Sequence, residues 1–188
     1  MRNAVYDKTS SLEEKLEYFC AHNPGKEAAV RRILEFIRST PDCFERTHAA
    51  GHITGSAWLL NPAGNKVLMT LHRKLKRWLQ PGGHADGQSE TLAVALREAE
   101  EESGIRGILP VSEDIFDVDI HLIPARPGEP EHFHYDIRYL LRAPHEQFVI
   151  SEESDALAWW SAADFANRRR ETDEAVLRMA AIVPGIKK

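Results

Sequence analysis

Gly82-Gly83-His84-Ala85-Asp86-Gly87, followed by Arg97-Glu98-Ala99-Glu100-Glu101-Glu102-Ser103-Gly104-Ile105, is the most informative part of this sequence. Between the two segments the pattern predicts one strong helix over about 90–103, with Gly104 as its C-terminal stop. At 100° per residue, Leu92, Leu96 and Ala99 fall within about 60° of one another and are expected to form the buried stripe. Glu98, Glu101 and Glu102 fall in a separate arc of about 100°, because their spacing is i, i+3, i+4. Three carboxylates therefore converge on one patch.

Such a helix is built at a cost. Like charges at i, i+4 destabilise by on the order of 0.2–0.5 kcal/mol per pair. Acids in the last turn oppose the helix dipole by roughly 0.3–1 kcal/mol each. An Arg97–Glu101 pair is expected to offset part of this. A local rule broken in this way marks a candidate functional site. The bland alternative for an isolated acidic run is a solvated face. Here a double-glycine turn precedes the run, lets backbone approach closely, and can offer a carbonyl beside the carboxylates. That combination suits a hard divalent cation such as Mg²⁺, which takes a few carboxylates plus water and substrate phosphate.

In this register the stretch resembles the Nudix box, G-x5-E-x7-R-E-U-x-E-E-x-G-U with U bulky aliphatic. Gly83, Arg97, Glu98, Glu101, Glu102, Gly104 and Ile105 match, and Ala99 is a small occupant of an aliphatic position. Ser89 stands where the family has its first glutamate, with Glu90 one residue late and Asp86 three early. The resemblance implies an α/β/α sandwich with a mixed sheet that hydrolyses nucleoside diphosphates linked to another moiety. It also implies that Glu98, Glu101 and Glu102, with the Gly83 carbonyl, hold Mg²⁺ (Mn²⁺ as the alternative). Glu98 and Glu101 would carry the catalysis, and Arg97 would hold a glutamate in place.

Outward from the box, Ser11 and Glu14 form a capping box, and Leu12, Leu16, Phe19 and Cys20 follow at helical spacing. Asn23-Pro24-Gly25 breaks this helix. A second runs through Val30, Ile33, Leu34 and Ile37 and stops near Pro41. Strands are expected over 52–60 and 66–71 as a hairpin around Asn61-Pro62-Ala63-Gly64-Asn65, then at about 116–123, 132–142 and 156–160. A helix at about 172–183 follows. The expected organisation is an N-terminal helical extension, 1–45, and a Nudix-type domain, 46–188. The apolar face of the extension must cap the domain or meet a second copy, and a homodimer is favoured.

The 188 residues carry 24 Lys+Arg against 29 Asp+Glu, nine His and two Cys, for a formal charge of −5. This mild acidity argues against a general nucleic-acid binder. No apolar run approaches the ~18 residues of a membrane helix, and the first residues lack the apolar stretch of a signal peptide. Cys20 and Cys43 make no disulfide framework and suit a reducing cytosol, so a cytoplasmic protein is expected.

Other constellations have ordinary readings beside functional ones. Arg73-Lys74-Leu75-Lys76-Arg77 is a surface charge run from which Arg77 is the candidate to contact phosphate. Along 131–138 the alternation puts Phe133, Tyr135 and Ile137 on one face and His132, His134, Asp136 and Arg138 on the other. Paired with 116–123, this strand would gather three histidines and several acids. A His-x-His pair can bind zinc, but a hydrogen-bonded substrate wall or plain surface is the favoured reading, with His84 and His134 as candidate substrate contacts. Glu152 and Glu153 are candidates for a late-loop base. The alternatives to hydrolysis are a nucleotide-sensing Nudix-like module and a diphosphate isomerase of the isopentenyl type. The second normally needs a catalytic cysteine, and neither Cys20 nor Cys43 falls in the Nudix-like portion.

Overall fold

The structure is a computed structural model and describes residues 11–183 apart from 127, 129 and 153. Helices α1 (Leu12–His22) and α2 (Glu27–Ser39) come first. Strands β1 (Gly51–Leu60), β2 (Val67–His72), β3 (Arg77–Leu79) and β4 (Gly82–His84) lead into helix α3 (Thr91–Ser103). Strands β5 (Leu109–Pro110), β6 (Asp117–Ile123), β7 (His132–Arg142) and β8 (Ser154–Trp160) precede the closing helices α4 (Ala162–Asn167) and α5 (Glu174–Ile182).

The Ser11 cap forms as expected: its hydroxyl accepts the Glu14 amide and the Glu14 carboxylate accepts the Ser11 amide. Gly104 ends α3 in the left-handed region at φ 68°, where a side chain would be strained. The β1–β2 turn is held by Asn61, whose Oδ1 accepts the amides of Asn65 at 2.9 Å and Lys66 at 3.0 Å. Three short strands were not legible in the pattern. The Gly82-Gly83 segment, expected as a loop, is strand β4 and pairs antiparallel with Thr54–Ser56. Helix α4 was also missed.

The sheet is mixed and eight-stranded. Its centre is a parallel ladder between β1 and β7 that runs from Gly51↔Phe133 to Leu60↔Arg142. Every other pairing is antiparallel, including β6 with β7. All ten residues of β1 are buried, as expected for a strand covered on both faces. One face sends Ile53, Ala57, Ile137 and Tyr139 into a core shared with α1, α2 and α3. The other sends Trp58, Leu60, Met69 and Trp160 into a second core with Phe165, Val176 and Met179 from the C-terminal helices. This is the expected α/β/α sandwich.

The apolar residues of the N-terminal extension find their partner surface within the chain. Leu16, Phe19, Ile33, Leu34 and Phe36 belong to the first core, and Phe36 stacks on Tyr135 with centroids 4.0 Å apart. In α3 the buried stripe is Thr91, Val94, Ala95, Ala99 and Glu102; Leu92 and Leu96 sit at its edge, only partly buried. Helix α3 rotates this way because Gly55 of β1 has no Cβ, which would stand 2.8 Å from the Thr91 carbonyl and 2.9 Å from the Val94 side chain.

A buried ion network ties the second face together. The Arg138 guanidinium, 2% exposed, donates to Asp136 at 2.7 Å, Asp117 at 3.2 Å and Asp119 at 3.3 Å. Arg178 of α5 donates to Asp117 at 2.7 Å, and Lys26, at the start of α2, also pairs with Asp117. Three cations meet three carboxylates. Burial by itself would raise the Asp119 carboxyl, but His121 and the two guanidiniums hold it well below the usual range.

Two outcomes follow for stability. Arg138→Ala strands buried carboxylates and should cost about 3–5 kcal/mol, whereas Arg178→Ala, at a half-exposed site, should cost much less in chemical denaturation. Equal losses would contradict the network. Deletion of 1–40 uncovers the first core and should yield protein without a cooperative thermal transition; a truncated chain that melts like the full one would show the extension to be dispensable.

Candidate functional site

Helix α3 presents its carboxylates to strand β4, and the two glycines explain how. A Cβ at Gly83 would lie 2.5 Å from a carboxylate oxygen of Glu98, and a Cβ at Gly82 would overlap the Ser56 hydroxyl. Glycine at both positions lets backbone, carboxylate and β1 pack together. The Gly82 amide donates to Glu102 Oε1 at 2.7 Å. Glu98 and Glu102 thus bracket the double glycine.

The three glutamates do not share one exposed patch. Glu102 is buried at 8% exposure and Glu98 is largely covered, while Glu101 is exposed and makes no hydrogen bond or ion pair with the described residues. Arg97 organises the turn. It donates to Glu98 Oε1 at 2.9 Å, to the His84 carbonyl at 2.6 Å and to Gln88 Oε1 at 3.0 Å. The arginine therefore holds Glu98, not the Glu101 expected from an i, i+4 pair. Gln88 was missed by the sequence reading, since an uncharged residue in a loop gives no signal.

Ser89 is exposed, and its acidic neighbours are engaged elsewhere. Asp86, at φ 50°, pairs with Arg46, and Glu90 pairs with Lys15 of α1 at 3.6 Å. Both acids are tied to the segment before the sheet. Arg73 and Lys76 are likewise paired with Asp155. Arg77 donates to the Thr172 carbonyl and lines a cavity of about 840 Å³ between the sheet and α5. Gln80, Arg138, Arg169 and Arg170 line it too, together with Asp173 and Glu174. Glu152 is exposed at the start of β8, and Glu153 lies outside the described residues.

On the second face of the sheet, rows of polar residues cross four strands. His52 of β1 stands beside His134 of β7, which stands beside His121 of β6. In the next row His84, Thr54, Asp136 and Asp119 align. Asp136 Oδ1 accepts from Thr54 at 2.9 Å and Ser56 at 2.7 Å, which anchors the row. The His84 and His134 rings lie 5.2 Å apart, and His52 is within 5.0 Å of both. Burial pushes the His52 imidazole down to about 4, and the His84 and His132 rings push in the same direction. Burial and the neighbouring rings lower His134 as well. Among the described residues His52, His132 and His134 form a group spaced for metal coordination. A single histidine at the start of an apolar strand gave no reason to place His52 here.

Alternation in β4 thus separates two chemistries: Gly83 faces the carboxylates of α3, and His84 faces the histidines. Residues 52–180 match the Nudix domain family. No curated protein gives a significant match. A Nudix-family hydrolase from Clostridium perfringens is similar at 25% identity over 68% of this chain and 92% of that chain, with a TM-score of 0.55. A dihydroneopterin triphosphate pyrophosphohydrolase from E. coli shares the fold at 19% identity, over 70% and 94% of the two chains, with a TM-score of 0.51. So does a bifunctional NMN adenylyltransferase/ADP ribose pyrophosphatase from Francisella tularensis, in complex with AMP and a manganese ion, at 14% identity, 82% and 46% coverage and a TM-score of 0.51. With a Nudix match over more than half its length and a sheet, helix and glycine turn in the matching arrangement, this chain belongs to the Nudix family.

Proposed function

We propose that this chain hydrolyses the pyrophosphate bond of a nucleoside diphosphate linked to another moiety, with a divalent cation held by Glu98, Glu101, Glu102 and the Gly83 carbonyl. It is an enzyme acting on phosphoric anhydride bonds. The reading is carried by one juxtaposition: Glu102 on the Gly82 amide and Glu98 against Gly83, with Glu101 left unengaged beside them. This is a hard oxygen donor set, and it fits Mg²⁺ or Mn²⁺. When bound, such an ion neutralises diphosphate charge and acidifies water.

The chain's own residues then have distinct tasks. Arg97 fixes Glu98 against the turn while bonding the His84 carbonyl, so the carboxylate is preorganised. Glu101 alone of the three is exposed and has no partner among the described residues, so besides holding the cation it has a carboxylate oxygen left to take a proton from the attacking water. Arg77, Arg169 and Arg170, which line the cavity beside Gln80 together with Asp173 and Glu174, are the cations available there to a phosphorylated substrate. Of the histidines, His121 lines this cavity, whereas His84 and His134 do not.

The isomerase reading lacks its nucleophile. Burial pushes the Cys43 thiol up to about 11, which leaves it protonated in the core, and Cys20 is half-buried on α1. A sensing module would not need Glu101.

A substrate panel with Mg²⁺ tests the class: ADP-ribose, dinucleoside polyphosphates, nucleotide sugars, coenzyme A, nucleoside triphosphates and dihydroneopterin triphosphate. Glu101→Gln should lower turnover at least about 100-fold with the melting temperature unchanged or raised, because that carboxylate has no partner among the described residues and its repulsion is removed. Glu102→Gln should lower both turnover and stability, since it weakens a charge-assisted bond to Gly82. Near-normal turnover in both variants would overturn the assignment. Ser89→Glu should tighten divalent-ion binding or leave it unchanged in calorimetry; a marked loss would show that the box is out of register.

A further inference from the structure

We infer that His52, His132 and His134 form a second metal site, for a Zn²⁺-like transition ion, on the sheet face opposite the Glu98–Glu101–Glu102 carboxylates. Its donor chemistry differs from that of the glutamate set, and none of its three ligands belongs to that set.

Three observations build it. First, each of the three rings offers one nitrogen, and these nitrogens all lie within 4.8 Å of one another. The Nε2 atoms of His132 and His134 are 3.2 Å apart. Two imidazole nitrogens on a tetrahedral zinc, each at about 2.0–2.1 Å, sit about 3.3 Å from one another. The pair already has the edge length of such a site.

Second, His132 Nδ1 is 2.8 Å from the Pro130 carbonyl. A carbonyl only accepts, so Nδ1 carries the hydrogen and Nε2 turns its lone pair toward His134. A backbone carbonyl on the far nitrogen is the usual way a ligating histidine is oriented.

Third, the His52 ring is 98% buried, and neither of its nitrogens has a hydrogen-bond partner among the described residues. Hydrogen bonding within the cluster accounts for His132 and His134 but not for His52. An ion at the centre draws on one lone pair from each ring, and so gives one of the two buried His52 nitrogens the partner it lacks. The remaining coordination position is left to water or to His84, whose ring centroid is 4.9 Å from that of His52.

An all-imidazole set selects zinc, copper, nickel or cobalt over Mg²⁺, whereas the glutamate set does the reverse. The two sites can therefore be loaded separately. The full-length chain, stripped with chelator, is dialysed against Zn²⁺ or Co²⁺ in excess Mg²⁺, and metal content and the visible spectrum are measured. The expected result is one retained equivalent, with the intense ligand-field bands of four-coordinate Co²⁺. His132→Gln and His134→Gln should each weaken Zn²⁺ binding at least about 100-fold, while Glu101→Gln retains the ion.

Imidazole nitrogen NMR of the unmutated chain keeps the test decisive should a variant misfold. Zn²⁺ should shift the resonances of His52, His132 and His134 at one equivalent, and Mg²⁺ should not. No retained metal, full retention in His134→Gln, displacement by Mg²⁺, or a titration that leaves these rings unmoved would each overturn the site.

Discussion

The parallel ladder between β1 and β7 is the constraint on which the rest of the molecule depends. Its register, His52 beside His134 and Ser56 beside Arg138, is what gives one sheet face its histidines and its buried ion network. A shift of one residue would turn every side chain of β1 over. His52, Thr54 and Ser56 would then face the first core, and Ile53 and Ala57 would face the aspartates. Parallel strands need a long crossover, and here the crossover contains β2, β3, β4, α3, β5 and β6. The helix that carries the glutamates is therefore part of the connection that makes the ladder possible.

Burial of charge on the second face is tolerated because it is balanced. Arg138, Arg178 and Lys26 meet Asp117, Asp119 and Asp136, and two hydroxyls of β1 complete Asp136. The partners come from α2, β6, β7 and α5, so the network reports on the correct docking of the N-terminal and C-terminal helices at once. It also reaches the cavity beside α5, since Arg138 lines that cavity while its charge is committed to the three aspartates. The arginines left there to meet an anion are Arg77, Arg169 and Arg170.

Much of the local structure was legible in the sequence because its causes are local. The Ser11–Glu14 cap, the Gly104 stop, the period-two alternation of 132–138 and the i, i+3, i+4 glutamates each follow from a few neighbouring residues. What was misread depended on distant ones. Gly82-Gly83-His84 reads as a loop by composition, yet it is a strand because β1 offers it an edge. The buried stripe of α3 is centred on Val94, Ala95 and Ala99 because Gly55, some forty residues earlier, lets the helix approach there. Arg97 chose Glu98 for the same kind of reason: the His84 carbonyl and Gln88 place its guanidinium on that side.

The family and the fold class were determined by the sequence, since a spaced motif on one helix needs no tertiary information to be recognised. The tertiary structure decided which glutamate is accessible, which is bound to the glycine turn, and that the extension is covered by the chain's own sheet. It alone brought His52 to His132 and His134. Separation along the chain is about eighty residues, and no periodicity or spacing rule spans that distance; only the register of a parallel ladder, set by packing on both faces of the sheet, carries such information.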